Sequence, residues 1–175
     1  MTKSIVFGSG CFWCSEAVFS IVKGVKSTQP GYSGGTVSNP TYEMVCEGNT
    51  GHTEVTKVEY DPEIISLREL LDIFFSMHDP TSLNRQGEDV GYQYRSVIFY
   101  SDKEDASVIR QALEEAQKNY SKKIVTAVEP LRNFFPAEEY HKDYFKKNPN
   151  AGYCRAVIRP KVDKIKHTYE QMLIR

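Results

Sequence analysis

The chain has 175 residues, the length of one domain of roughly 100–200 residues, and it can bury roughly 70% of the surface its unfolded form exposes. Apolar residues make up 40%, charged residues 26%, and the net charge is −1. These are ordinary globular values without a charged block, which argues against a nucleic acid or an anionic membrane surface as partner. Eleven Tyr accompany a single Trp; a Tyr-rich core edge explains them, and so does a polar pocket with apolar walls.

The opening apolar run, Ile5-Val6-Phe7, is too short for a signal peptide, and no membrane-spanning stretch follows. A cytoplasmic location is expected. Four cysteines in a reducing compartment act as free thiols, metal ligands or redox groups.

Lys3 to Phe7 reads as a strand ending at Gly8-Ser9-Gly10. A helix follows from Cys11 to about Val22, with Ala17, Val18, Ile21 and Val22 on one face. Val25 to Gly35 starts as a strand and ends in turns, and 36–51 reads as a loop. Thr53 to Tyr60 is a strand, stopped by Asp61-Pro62. Leu67, Leu70, Leu71, Phe74 and Phe75 form a helical stripe closed by Asp79-Pro80. Ser82 to Gly91 is a polar loop, and Tyr94 to Tyr100 a buried strand. Ala106, Ile109, Leu113, Ala116 and Tyr120 mark another helix, and Ile124 to Val128 a further strand. Glu138 to Lys146 reads as a short helix, followed by a loop through Pro149, Gly152 and Cys154. Val162, Ile165, Tyr169, Met172 and Leu173 mark a closing helix. The pattern fits a two-layer α+β sandwich in a single domain. The loops at 36–51, 82–93 and 147–155 are natural places for a site.

Gly8-Ser9-Gly10-Cys11-Phe12-Trp13-Cys14 joins a strand to a helix. The glycines permit a tight turn that sets Cys11 near a helix N-terminus. Unsatisfied amides and the helix dipole there favour an anion, so a lowered thiol pKa is expected. Two large rings beside a nucleophile look like pocket walls. Zinc is a weaker reading, because Cys46 and Cys154 are single and His52, His78, His141 and His167 are scattered. A thioredoxin-type dithiol fits poorly, because the aromatics lie between the two cysteines.

Gly10-Cys11-Phe12-Trp13 resembles the signature of the A-type peptide methionine sulfoxide reductases. Gly31-Tyr32-Ser33-Gly34-Gly35, Asn39-Pro40-Thr41-Tyr42, Cys46-Glu47-Gly48 and Thr50-Gly51-His52-Thr53-Glu54 are also similar to that family. So are Tyr60-Asp61-Pro62, His78-Asp79-Pro80, Arg85-Gln86-Gly87, Asp89-Val90-Gly91, Gln93-Tyr94-Arg95-Ser96, Glu138-Glu139-Tyr140-His141, Asn148-Pro149 and Gly152-Tyr153-Cys154. The resemblance covers nearly the whole chain in order. It implies a ferredoxin-like core with a mixed, largely antiparallel sheet. It also implies reduction of methionine sulfoxide, free or in proteins, at the S epimer, one enzyme serving each epimer.

By the resemblance, Cys11 attacks the sulfoxide sulfur and becomes a sulfenic acid. Glu54 is the implied acid. Strand alternation puts it on the face of Thr56, Val58 and Tyr60, where burial keeps it protonated. Tyr42 and Tyr94 donate hydroxyls to the sulfoxide oxygen. Phe12 and Trp13 wall the S-methyl group. Asp89 binds the substrate backbone, and Tyr153 lines the pocket. Cys154, expected in a mobile Gly-rich loop, is the implied resolving thiol, and thioredoxin reduces the resulting disulfide. Cys14 stands where the family often has Gly, and it is an alternative resolver or a relay. No cysteine follows Cys154, so a relay through the tail is excluded. Cys46 is expected to pack as a buried thiol, Glu16 to be structural, and His52 and His141 carry no assigned chemistry. No metal, flavin or nucleotide is implied, and a monomer is expected. The rival reading is a general thiol-disulfide oxidoreductase using Cys11 and Cys14.

Overall fold

A computed structural model of the chain describes residues 1–174. β1 (Lys3–Ser9) alternates cleanly. Ile5 and Phe7 face one layer of core, and Val6 faces the other. The helical segments α1 (Phe12–Phe19) and α3 (Leu67–Met77) cover the first face. The other strands are β2 (Val25–Ser33), β3 (Thr53–Tyr60), β6 (Ser96–Tyr100), β7 (Ala127–Pro130) and β8 (Phe135–Pro136). Their order is β7-β6-β1-β3-β2-β8. All pairs are antiparallel except β6 with β7. The central order β6-β1-β3-β2, with α1 and α3 as the two connections, is the split βαβ arrangement of ferredoxin-like folds. The mixed α+β class read from the sequence therefore holds.

α3 has a full capping box. Ser66 accepts from the Glu69 amide, and Glu69 reaches back to the Ser66 amide, satisfying donors the helix cannot. Its stripe buries Leu70, Leu71 and Phe74 completely. Phe74 stacks on Phe7 with ring centroids 4.8 Å apart, and Phe7 stacks on Phe19 at 4.9 Å. α4 (Lys103–Gln117) packs beside α3, and α6 (Arg159–Thr168) packs against α1 and α3. On the opposite face Val6, Val55, Val97 and Phe99 are covered by Ala127, Leu131 and Phe134. A Cβ on Gly31 would lie 2.6 Å from the Phe134 ring and the Phe135 carbonyl, so only glycine admits β8 here.

Several elements differ from the sequence reading. α1 stops at Phe19 and is buried on nearly every side, because it lies between the sheet, the C-terminal helix and α5 (Tyr144–Lys147). The 36–51 loop contains a one-turn helix, α2 (Tyr42–Cys46), capped by the Thr41 hydroxyl. The 82–91 loop contains the hairpin β4 (Arg85–Gln86) and β5 (Asp89–Val90). Tyr92–Tyr94 form a 3-10 turn, so the strand starts at Ser96. The helix expected over 138–146 is broken at Asp143, whose φ is 54°. The segment expected as a mobile loop around Cys154 is a π turn, Cys154–Ile158, leading into α6. Pro160 explains it: the ring lacks an N–H and collides with a carbonyl four residues back, so the helix widens upstream. No helix among the described residues is long and apolar enough to cross a membrane.

Phe74→Ala should lower stability by about 3–5 kcal/mol. Urea unfolding followed by far-UV circular dichroism measures it; a loss below 1 kcal/mol would mean that the aromatic stack is not part of the core.

Candidate active site

The C-terminal end of β1 and the start of β3 lie side by side, because the strands are antiparallel. Gly10 turns the chain there at φ 95°, where a Cβ would strike the Gln86 side chain at 2.8 Å. Gln86 holds its own position by pairing with both the amide and the carbonyl of Asp79. The turn delivers Cys11 to the N-cap of α1, with 8% of its surface exposed.

Glu54, on β3, lies against the first turn of α1 at 1% exposure. Its Oε1 accepts from the Phe12 amide at 3.2 Å. Its Oε2 is buried with no hydrogen-bond partner. Burial pushes its pKa up to about 8, the Phe12 amide opposing and the Asp89 and Cys14 charges adding to the rise. At neutral pH the carboxyl is a proton donor with a free oxygen.

Burial likewise raises the hydroxyls of Tyr42 and Tyr94, and the Glu54 charge is the next cause for each. Both phenols therefore stay protonated around the same carboxyl. Glu138 fixes Tyr42: its Oε2 accepts from the Tyr42 amide at 2.9 Å and its Oε1 from the Tyr32 hydroxyl at 2.9 Å. Burial pushes the Glu138 carboxyl up, but these donors pull it below the ordinary range.

The thiol corrects one expectation. Cys11 has its pKa raised well above the ordinary thiol value, not lowered. Burial is the largest cause, followed by hydrogen bonding to Cys14 and the charge of Glu54; one amide, that of Trp13, pulls the other way. A single helix N-terminal amide does not outweigh loss of solvent. Cys11 therefore rests as a thiol. Its neighbour Cys14 is shifted down, chiefly by the hydrogen bond from Cys11.

Phe12 and Trp13 build the wall. Phe12 packs on Tyr32, Tyr42 and His141, with centroids 5.7, 6.3 and 4.9 Å away. Trp13 stacks on Tyr144 at 3.7 Å and 7°. The Trp13 indole N–H donates to His141 Nδ1 at 3.0 Å. That bond places the imidazole proton on Nε2, which is buried and unpartnered. His52, by contrast, is a pin: Nδ1 accepts from the Gly35 amide, and Nε2 donates to the Val37 carbonyl. Glu16 is buried, accepting from the Asp143 amide at 2.7 Å and the Thr28 hydroxyl at 3.1 Å. It anchors the segment that carries Tyr144.

Asp89 accepts from the Tyr153 hydroxyl at 2.5 Å, and the same hydroxyl lies 3.9 Å from Cys14 Sγ. Both residues also line a groove of about 620 Å³, with His78, Gln86, Lys161 and Lys164. Cys11 does not line this groove, which reaches the start of α1 through the contact of Tyr153 with Cys14. Cys154 is fully buried in the same core cluster as Cys11 and Cys14. Cys46, expected to be buried, is exposed at the end of α2, because that helix turns only Val45 inward. Among the described residues no three His, Cys, Asp or Glu side chains converge to hold a metal ion.

Thus Phe12, next to Cys11 in the chain, packs on Tyr42 and donates its amide to Glu54, whose charge acts on both Tyr42 and Tyr94, while Asp89 and Tyr153 line the neighbouring groove. Sequence reasoning missed Tyr144, which no local pattern marks; its partner Trp13 is 131 positions away along the chain.

A thiol, a protonated carboxyl and two phenol donors around an apolar wall make a thiol-enzyme site suited to a neutral, oxygen-bearing electrophile. Comparison with known proteins identifies which electrophile. The family model for peptide methionine sulfoxide reductase matches residues 3–173. Peptide methionine sulfoxide reductase MsrA of Campylobacter jejuni strain 81-176 is 55% identical over 163 residues, covering 93% of this chain and 98% of that protein. Reduced Mxr1 from Saccharomyces cerevisiae superposes with a TM-score of 0.84 at 40% identity, over 87% of this chain and 89% of that one. Mxr1 in complex with Trx2 matches with a TM-score of 0.60 at 29% identity, over 82% and 84% of the two chains. The chain belongs to the peptide methionine sulfoxide reductase family. It is an oxidoreductase that reduces methionine sulfoxide to methionine, and the general thiol-disulfide reading is set aside.

Because Trp13 is the only tryptophan, its fluorescence reports the wall directly. Tyr144→Ala should shift the emission to longer wavelength and raise KM for a sulfoxide peptide roughly 2- to 10-fold, the worth of one aromatic pair. An unshifted spectrum with unchanged KM would show that the stack does not shape the pocket.

Proposed function

We propose that residues 1–175 act as one methionine sulfoxide reductase domain in which Cys11 is the nucleophile and Glu54 the acid. The observation that carries this reading is the buried, unpartnered Oε2 of Glu54 beside the N-cap thiol. A buried polar oxygen without a partner is costly, and a bound sulfoxide oxygen is a fitting acceptor for its proton. Tyr42 and Tyr94 supply two further donors to that oxygen, and the Phe12–Trp13 wall receives the S-methyl group. His141 Nε2–H and the Asp89 carboxylate are available to the substrate backbone.

The reaction balances without a prosthetic group. The Cys11 sulfur attacks the sulfoxide sulfur, and its proton and that of Glu54 go to the oxygen. The S–O bond of the substrate then breaks, methionine leaves, and the oxygen ends on Cys11 as a sulfenic acid. Glu54 recovers its proton. Two electrons have moved from the thiol to the substrate sulfur. A second thiol of the chain, Cys154 or Cys14, converts the sulfenic acid to a disulfide and releases water. The external reductant is a thioredoxin; the Mxr1–Trx2 complex of a relative supports that partner. The substrates are the S epimer of methionine sulfoxide, free or in oxidised proteins. A monomer working in the cytoplasm completes the reading.

Single-turnover mixing with separated epimers tests it. The S epimer should yield about one equivalent of methionine and consume the Cys11 thiol; methionine from the R epimer alone, or from neither, would overturn the reading. Glu54 must be protonated to act, so its contribution is present below pH 8 and lost as pH rises through its pKa of about 8. Glu54→Gln should slow methionine formation by about 10²- to 10⁴-fold and remove that alkaline limb. An unaltered rate and profile would take the acid role from Glu54.

A further inference from the structure

Glu16 is 2% exposed, and no step of the reaction uses it. A buried carboxylate is costly unless its oxygens are hydrogen-bonded, and both of them are. Oε1 accepts from the Asp143 amide at 2.7 Å, and Oε2 accepts from the Thr28 hydroxyl at 3.1 Å. One side chain of α1 thus joins β2 to the start of α5, 127 positions away along the chain.

α5 needs such a holder. It is four residues long, and none of them is buried. One turn of helix is too short to persist in water without outside support. The Asp143 side chain makes no cap bond, and its backbone is left-handed at φ 54° and ψ 34°. A residue other than glycine keeps that conformation only where its surroundings fix it. Tyr144 lies on Trp13 at 3.7 Å and 7°, and the Arg159 guanidinium lies 5.5 Å from the centre of the Phe145 ring. The Glu16 bond grips the backbone, and it does so at the residue whose dihedral angles aim the helix.

Resting on the assignment of Trp13 to the wall that receives the S-methyl group, we propose that Glu16 is a positioning residue for sulfoxide binding, seating Asp143 so that Tyr144 backs Trp13. The line of contact runs from Glu16 through Asp143 and Tyr144 to Trp13, and from the Trp13 indole to His141 Nδ1 at 3.0 Å. Substrate meets the Trp13 end of that line. Glu16 acts from the other end, with both oxygens engaged by the chain itself. A cavity of about 110 Å³ borders Trp13, Glu16, Asp143 and Phe145, so Trp13 has room to tilt once the seat is lost.

The seat depends on hydrogen-bond acceptance more than on charge. Burial pushes the Glu16 carboxyl up to about 7, against the pull of the Asp143 and Thr28 donors. A protonated carboxyl still offers one oxygen to the Asp143 amide, while its O–H donates to a Thr28 hydroxyl that has turned to accept. A glutamine side chain offers the same acceptor and a donor in the same place.

The test uses the full chain and a methionine S-sulfoxide peptide, reads KM and the saturating single-turnover rate separately, and records Trp13 emission. Glu16→Ala should raise KM roughly 2- to 10-fold, the worth of the one aromatic pair it seats, and shift the emission to longer wavelength. The saturating rate should stay as in the wild-type chain. Glu16→Gln should restore both KM and emission. Glu16→Ala added to Tyr144→Ala should raise KM no further, because residues on one line of contact do not act independently. In the wild-type chain, which needs no variant to fold, the Asp143 amide should exchange with deuterium more slowly than the Tyr144 amide, which begins α5 without a helical partner. An unmoved KM in folded Glu16→Ala, a Glu16→Gln as impaired as Glu16→Ala, multiplied KM effects in the double variant, or equal exchange of the two amides would overturn the proposal. No methionine from the wild-type chain would instead overturn the reading of the pocket beneath it.

Discussion

The hydrogen bond from the Phe12 amide to Glu54 ties the first turn of α1 to the start of β3, and much else follows from it. It orients the carboxyl so that one oxygen is held and the other is free. The free oxygen has no solvent to turn to. The gap between an unburied glutamate at 4.5 and about 8 here amounts to about 5 kcal/mol against the charged form. The sheet and the aromatic residues around it impose that cost, and the result is an acid that keeps its proton at neutral pH. Tyr42 and Tyr94 depend on the same condition, because a charged Glu54 would disfavour their ionisation further still and compete for their hydroxyl protons.

The thiol obeys a different balance from the one a helix N-terminus suggests. The dipole and one amide favour an anion at Cys11, but burial is stronger, and Cys14 takes the more acidic place in the pair. A resting thiol suits this chemistry, since the sulfoxide oxygen needs protons as much as the sulfur needs an electron pair. In the proposed mechanism both protons are thus held in advance, on Cys11 and Glu54. Aromatic packing keeps water out of that store: Trp13 lies between Tyr144 on one side and His141 on the other, and Glu16 anchors the segment that supplies Tyr144.

The parts legible in the sequence are those with a strong local period. Alternation in Thr53–Tyr60 put Glu54 on the face of Thr56, Val58 and Tyr60, and that face is the one buried under the helices. The stripe from Leu67 to Phe75 marked α3 to within two residues of its end. What escaped was set by contacts distant in sequence. α2 is one turn long and is held by Thr41 and by Glu138 from 96 positions away. The π turn at Cys154 depends on Pro160 beyond it and on burial against α1. Cys46 misled because a cysteine is most often buried, and its exposure follows from α2 being one turn long with only Val45 turned inward. The acidity of Cys11 was misjudged because sequence shows a helix start but not how much solvent reaches it.

α1 has no solvent-facing stripe: seven of its eight residues are buried, and only Trp13 is partly open. A helix of that length is marginal in water by itself, so its form comes from the layers around it. Its amides cannot fray open one turn at a time without unpacking the sheet. Hydrogen exchange at Ser15 to Phe19 should then proceed at the rate of whole-protein unfolding and not by local opening. The geometry of the reactive turn consequently persists as long as the fold does, and the chain loses its thiol site and its tertiary structure in a single event.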